Sequence, residues 1–475
     1  MFFPISLNPY WRYTRMATPE SDPTSALLAN AAERAIRYRE TLDARPVAPS
    51  PETVARLSAL GGSLPEAPQP PEQILALLDD VGSPATVATT GGRYFGFVTG
   101  GALPATVAAS WLASAWDQNA ALYVMSPVAS ELERIALGWL VDVLGLPAGT
   151  GGSFVTGATM ANFTALAAAR HAVLQRVGWD VEADGLFGAP PITVVVGAEA
   201  HTTLHKALAL LGMGRNRVIT VPVDGQGRMR GDALPDLSTL SGPAIVCIQA
   251  GNVNTGAFDP AGEIIPWARD IGAWVHVDGA FGLWAAAAPA RAALMAGFAD
   301  ADSWATDAHK QLNTPYDSGL AFVRDPAALG AAMTATAAYL LTSDQRDPMH
   351  YTPESSRRAR GVEIWAALRE LGRSGVADLV ERCCLHAARF AEGLRDAGYS
   401  ILNDVVLNQV LVSFGDDETT RRVMTAIQQD GTCWCGGTVW QGRAAMRISV
   451  SSWATTDNDV ERSLAAMIRA AREQR

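Results

Sequence analysis

Cysteine is scarce in this chain. Five thiols occur in 475 residues, at Cys247, Cys383, Cys384, Cys433 and Cys435, an odd number with no CxxC pair. Cys383 and Cys384 are adjacent in a helical stretch, where neither has the geometry to bridge a neighbour. Free thiols in a reducing compartment are the reading, and a disulfide framework is excluded. The seven histidines are scattered, none at metal-ligand spacing with the cysteines, so no metal is expected. A basic excess is also missing: the net charge of -11 argues against a nucleic-acid partner, since phosphate binding needs a basic face. No run of six like charges marks an interaction tail. No apolar run reaches the roughly 20 residues that span a membrane. The N-terminal apolar stretch is short, is broken by Pro4 and Asn8, and precedes its basic residues, unlike a secretory signal. The context of Met16 reads as an alternative start, which makes residues 1–15 an extension. A cytoplasmic protein is expected.

What is present is core-forming material, with 48% hydrophobic and 18% charged residues. That suits two or three packed domains. Residues 24–45 carry apolar side chains at helical spacing, among them Leu27, Leu28, Ala31, Ala35 and Ile36. A proline-rich passage from Arg45 to Pro71 follows and is expected to be extended, so that 1–89 forms an arm with helices. From about 90 to 330, within a domain expected over 90–357, short β-branched runs alternate with alanine-rich helices. Strands are expected at 192–198, 217–223, 244–251, 274–280 and 319–325, and helices at 128–144, 157–176, 201–212, 260–271 and 286–297. This is an α/β pattern, a mostly parallel central sheet covered by helices on both faces. Ligands of such sheets bind at the carboxyl ends of the strands. Residues 358–475 read as a smaller α+β domain, with helices at 358–371, 376–397, 417–429 and 457–474 and strands at 405–414 and 437–452. The intervening polar stretch 340–356 has no periodicity, as expected of a functional or mobile loop. No internal repeat is present.

Four constellations fall at the expected strand ends. The segment Ser153–Asn162 reads as a strand ending at Gly157 and a helix opening with Ala158 and Thr159, an anion site by its exposed N–H groups and dipole. Taken alone it reads more readily as an ordinary capped helix. Asp278 closes the apolar strand from Trp274, and a buried carboxylate there needs a cation. A protonated pyridine nitrogen is one such cation, and pairing with it makes the ring a better electron sink. Lys310, flanked by His309 after a short strand, suits imine chemistry. Asp278 and Lys310 stand one strand–helix–strand unit apart, so both reach one crevice. His201 opens a helix at the same edge and can stack on a planar ring, while His205, one turn later, reads as structural.

Together, the segments around Thr156–Leu166, Glu199–Ala207, His276–Ala280 and Asp307–Asp317 resemble the group II pyridoxal 5'-phosphate (PLP)-dependent amino-acid decarboxylases. These are relatives of the aromatic amino acid, histidine and glutamate decarboxylases, built on the aspartate aminotransferase fold (fold type I). The resemblance runs from about residue 30 to the C-terminus and includes Arg45–Val47, Tyr94–Phe97 and Ser126–Glu133. It implies a large PLP-binding domain over 90–357 and a small C-terminal domain over 358–475. It implies a Lys310 aldimine, Asp278 on the pyridine nitrogen, and His201 and Ala280 on the two ring faces. Ala158, Thr159, Asp307 and His309 would surround the phosphate; Asp307 stands where several relatives have Asn, and an ionised carboxylate there is repelled by phosphate. Asn252 or Asn254 would reach the ring hydroxyl. Tyr94, Phe95 and Thr99 would line the substrate pocket, and Tyr351 in the 340–356 loop would assist protonation after carbon dioxide leaves. A homodimer with active sites at its interface is implied, Ser355 and Ser356 approaching the partner's phosphate. Arg447 is read as structural, serving a partly buried ion pair. The expected reaction is decarboxylation of an L-amino acid, aromatic or otherwise uncharged, to the amine and carbon dioxide. Aldehyde synthesis, transamination and aldolase-type cleavage share Lys310 and Asp278, and an inactive PLP-binding protein is the non-enzyme alternative.

Overall fold

The structure is a computed structural model that describes residues 23–334 and 345–474. The possible start at Met16 and the first part of the 340–356 loop lie outside the described residues. The chain divides into two compact units, one ending at Ala88 and one spanning Thr89–Arg475. In the first, helix Pro23–Glu40 is tied by Arg34 and Arg37 to Asp79, at 2.8 and 2.9 Å. The passage expected to be extended is partly helical instead. Pro51 and Pro71 each open a short helix, Pro51–Ala55 and Pro71–Leu77. Proline at the first helical position gives up only an N–H that has no partner in the helix.

The second unit holds a seven-stranded sheet: β1 (Gly151–Val155), β2 (Thr193–Gly197), β3 (Val218–Val221), β4 (Ala244–Gln249), β5 (Trp274–Asp278), β6 (Ser303–Asp307) and β7 (Gly319–Val323), in the order β1-β7-β6-β5-β4-β2-β3. From β3 to β6 every pair is parallel, and β7 runs antiparallel to β6 and β1. Apart from edge strand β3, where Ile219 and Thr220 are exposed, the strands bury both faces, so the pleat's two-residue period divides the core. Val195, Val246, Ile248, Val275 and Val277 join a cluster with Leu137, Leu140 and Trp284. Val194, Val196, Ile245, Cys247 and Trp274 join another with Ala165, Leu166 and Leu204. A smaller antiparallel sheet, β8 (Ser400–Ile401), β9 (Gln409–Ser413), β10 (Gly436–Trp440) and β11 (Arg443–Ser449), pairs in the order β10-β11-β9-β8. Its inner face packs against helix Asp457–Glu473 and the long helical segment Gly361–Asp396. That segment breaks at Gly372, whose φ of 58° is left-handed, at the division expected between two helices.

Two elements differ from expectation. The helix expected over 286–297 is a series of 3-10 turns, Gly282–Ala287, Ala292–Met295 and Phe298–Asp300. Pro289 interrupts it by removing a backbone donor. An unanticipated helix, Pro104–Trp116, opens with a proline at its first position.

Candidate active site

The carboxyl ends of β1, β2, β4, β5 and β6 converge on a cavity of about 480 Å³. Gly157, Ala158 and Thr159 after β1, His201 after β2, Gln249 and Asn254 at and after β4, Asp278 and Ala280 at β5, and Asp307, His309 and Lys310 after β6 all line it. The topology does this work: parallel strands present their carboxyl ends on one side, so residues far apart in sequence meet there.

Lys310 Nζ stands 2.8 Å from Asp307 Oδ2. The other Asp307 oxygen accepts the Ala158 N–H, at 2.6 Å, the first amide of helix Ala158–Gln175. Asp307 therefore holds the helix end and the lysine together, a task its charge suits better than direct contact with phosphate. His309 lies across from it, Nε2 to Oδ1 at 3.6 Å. The Ser318 N–H donates to His309 Nδ1 at 3.0 Å, and burial lowers the ring's pKa, so the neutral ring carries its proton on Nε2. His201 is the N-cap of helix Thr202–Leu210, its Nδ1 accepting the Thr203 N–H. Burial lowers its pKa as well, leaving a neutral ring with Nε2–H free for the cavity. Asp278 is buried, and burial raises its pKa while His201, Lys310 and Asn162 pull it down.

Of the two asparagines, Asn254 is the lining residue. Asn252 is spent on a turn, its Oδ1 accepting the N–H groups of Asn254 and Thr255. Among the expected pocket residues, Tyr94, Phe95 and Thr99 do not line the cavity; Phe97 and Val98 do. Phe95 is wholly buried, edge-on to Phe390 in the smaller sheet's core, and Tyr94 stacks on Trp434 at 5.2 Å. The reason is backbone geometry. Phe97 and Val98 both have positive φ, 54° and 57°, which reverses the chain and turns these two side chains toward the cavity. Tyr351 also lies off the wall, in a 3-10 turn with its ring 3.9 Å beneath the Arg346 guanidinium.

Arg447, read from the sequence as structural and ion-paired, stands instead on the cavity wall. Its side chain lines the cavity beside Thr438, donates to Val253 O at 3.1 Å and lies 3.5 Å from Asn254 Oδ1. It pairs with no carboxylate among the described residues, and burial lowers its pKa. The available signal was its position on an inner strand without an acidic neighbour.

A buried carboxylate, a lysine and a helix amino end, meeting at the strand ends of an α/β sheet, suit a phosphorylated aldehyde cofactor with a basic ring nitrogen. Comparison with known proteins gives the class. The pyridoxal-dependent decarboxylase conserved domain matches residues 59–415, and the chain belongs to that family. Its cofactor is PLP. The chain is 30% identical over 390 residues to the L-2,4-diaminobutyrate decarboxylase of Rhizobium meliloti, covering 78% of this chain and 76% of that one. It is 26% identical over 470 residues to tryptophan decarboxylase 1 of Oryza sativa subsp. japonica, covering 91% and 90%. The crystal structure of Oryza sativa TDC with PLP and tryptamine superposes with a TM-score of 0.87 at 24% identity, over 96% of this chain and 99% of that one, a likeness of fold. Among the described residues no helix is long and apolar enough to cross a membrane.

Proposed function

We propose that this enzyme decarboxylates an L-amino acid to the amine and carbon dioxide, with Lys310 as the residue that carries PLP. The supporting observation is that Lys310 and the buried carboxylate of Asp278 line one cavity at neighbouring strand ends. Asp278 would hold the pyridine nitrogen, His201 and Ala280 the ring faces, Asn254 the ring hydroxyl, and Ala158, Thr159 and His309 the phosphate. Bound PLP supplies the electron sink into which a substrate bond breaks. The residues do the rest. Asp307, 2.8 Å from Lys310 Nζ, would hold the lysine's amine in place. His201 presents its Nε2 proton to the substrate side, the place first assigned to Tyr351. Phe97 offers an apolar wall to an aromatic or other uncharged side chain.

Arg447 favours a second reading of the substrate. A partly buried guanidinium that faces the cavity without a carboxylate partner is stabilised by an anion. A decarboxylase gains by leaving the reacting carboxylate unneutralised, so that anion would be an acidic group on the substrate's side chain. The two likenesses above, to enzymes named for diaminobutyrate and for tryptophan, do not agree on side-chain chemistry.

We further propose that two copies associate. Large apolar side chains stand exposed in each unit: Leu28 and Ile36 in the first, Trp111, Leu112 and Trp116 on helix Pro104–Trp116 in the second. The test of function is to incubate the PLP-loaded enzyme with each common amino acid and measure carbon dioxide and amine. Equal amounts of both from one substrate support the reading, and aldehyde or keto acid in place of amine refutes it. Arg447→Met should abolish turnover of an acidic substrate and spare an aromatic one.

A further inference from the structure

Behind the cavity wall, Asp278 ends a chain of buried hydrogen bonds that the proposed reaction does not itself use. Asn162 Nδ2 donates to Asp278 Oδ2 at 3.2 Å. Asn162 Oδ1 lies 2.9 Å from His276 Nε2, and His276 Nδ1 lies 2.9 Å from Ser303 Oγ. Trp274 Nε1 donates to the same Ser303 Oγ at 2.8 Å. Trp274, His276 and Asp278 alternate along β5 and therefore share the face on which helix Ala158–Gln175 lies. Asn162, His276 and Ser303 are wholly buried, so water does not substitute for any link.

The carboxylate end fixes the direction of the bonds. A carboxylate only accepts, so the Asn162 NH2 faces Asp278 and the amide oxygen accepts the Nε2 proton of His276. Nδ1 of the neutral imidazole is then an acceptor, and the Ser303 hydroxyl donates to it while the Ser303 oxygen accepts the Trp274 indole N–H. The assignment agrees with burial, which lowers the His276 pKa to about 3. With the ring neutral, as burial requires, and Oδ2 unprotonated, all four links are satisfied. A proton on Asp278 Oδ2 would set a donor against the Asn162 donor.

We propose that Asn162 and His276 are positioning residues that act through Asp278, orienting its carboxylate and keeping it an anion for the cofactor's ring nitrogen. This rests on the proposed role of Asp278 and adds the residues that enforce it. Asn162 belongs to the same helix whose first turn lines the phosphate side of the cavity, so one element sets both ends of the cofactor site.

The experiment compares Asn162→Ala, His276→Phe, Ser303→Ala and Asp278→Asn with the unaltered protein. PLP affinity is read by titrating the cofactor's absorbance, and the histidine tautomer by ¹⁵N NMR of the cofactor-free, histidine-labelled protein. Losing a hydrogen bond to a buried charge should weaken PLP binding by about ten- to a hundred-fold in Asn162→Ala. His276→Phe, which frees the amide to turn, should weaken it in the same direction without touching the cavity. The unaltered protein should show His276 as the Nε2–H tautomer, and Ser303→Ala should shift it towards a mixture. An Nδ1–H tautomer would overturn the proposal. So would undiminished PLP affinity in folded Asn162→Ala, with Asp278→Asn impaired. If Asp278→Asn itself binds PLP normally, the role given to Asp278 has failed instead, and the tautomer still tests the relay. Should His276→Phe not fold, Asn162→Ala and Ser303→Ala carry the test.

Discussion

At the scale of single residues, Asn313 shows how much one side chain can organise around Lys310. Its Oδ1 accepts the N–H groups of Gly101, at 2.7 Å, and Trp453, at 2.9 Å. Its Nδ2 lies 2.9 Å from Ser451 O, 3.0 Å from Gln311 O and 3.1 Å from Lys310 O. Three separate segments thus meet on one buried amide, at a φ of 55° that asparagine tolerates better than most residues. Asn313→Ala should lose about 2–4 kcal/mol in urea unfolding, from unpaired buried groups and the left-handed backbone. Asn313→Gly keeps the backbone freedom and should lose about 1 kcal/mol less; equal losses would show that the conformation contributes nothing. His276 gives a pH dependence. Its folded pKa is about 3 against an ordinary 6.5, so between these values the unfolded chain holds the extra proton. Stability from this group is therefore complete above about pH 6.5 and falls by about 1.4 kcal/mol per unit on acidification. Urea titrations at pH 5, 6 and 7 should find a shallower slope in His276→Gln. That Lys310, Asp278 and His201 meet at one cavity could be read from the sequence because each ends or directly follows an apolar strand run. Phe97 and Val98 could not, because two successive positive φ angles leave no glycine or asparagine as a sign.

Elements were legible where their boundaries are enforced by covalent chemistry or burial. The apolar runs of β4, β5 and β7 became strands with both faces covered, while β3 pairs at the sheet edge with Ile219 and Thr220 exposed. Prolines misled where they open helices, at Pro51 and Pro71, because position within a helix decides whether the missing N–H matters. The approach of β7 to the turn after β1 rests on two glycines that no periodicity reveals. A Cβ on Gly319 would run into the backbone of Gly157, where no flexible side chain can give way. Gly319→Ala should therefore cost more than about 2 kcal/mol and loosen PLP, since Gly157 leads into the helix end at the cavity. Gly138 is the control. It lies in helix Pro127–Val143 with open space where a Cβ would go, so Gly138→Ala should raise stability by about 0.5–1 kcal/mol. Thermal unfolding of the two variants should move in opposite directions, and a stabilised Gly319→Ala would refute the close-packing argument.

For the whole molecule, the apolar side chains left at the surface and the net charge make opposing demands. Helix Pro104–Trp116 contains no charged residue, yet Trp111, Leu112 and Trp116 are 45%, 54% and 42% exposed. Exposed apolar side chains grouped on one element mark an interaction surface more often than a solvated one. Each copy also carries a net charge of -11, so two copies repel at long range. If apolar contact holds them together, added salt should strengthen association, because screening removes the repulsion while burial of apolar surface persists. Bonds made mainly of ion pairs would weaken instead. Sedimentation equilibrium should give about twice the chain mass of 50.2 kDa, with the dimer tighter at 0.5 M than at 0.05 M sodium chloride. Leu112→Glu, which adds charge at an exposed position, should shift the population towards the single chain while leaving the unfolding midpoint of that chain unchanged. A dimer indifferent to Leu112→Glu would place the interface elsewhere. A dimer loosened by salt would show that charge pairing, not this apolar face, holds it.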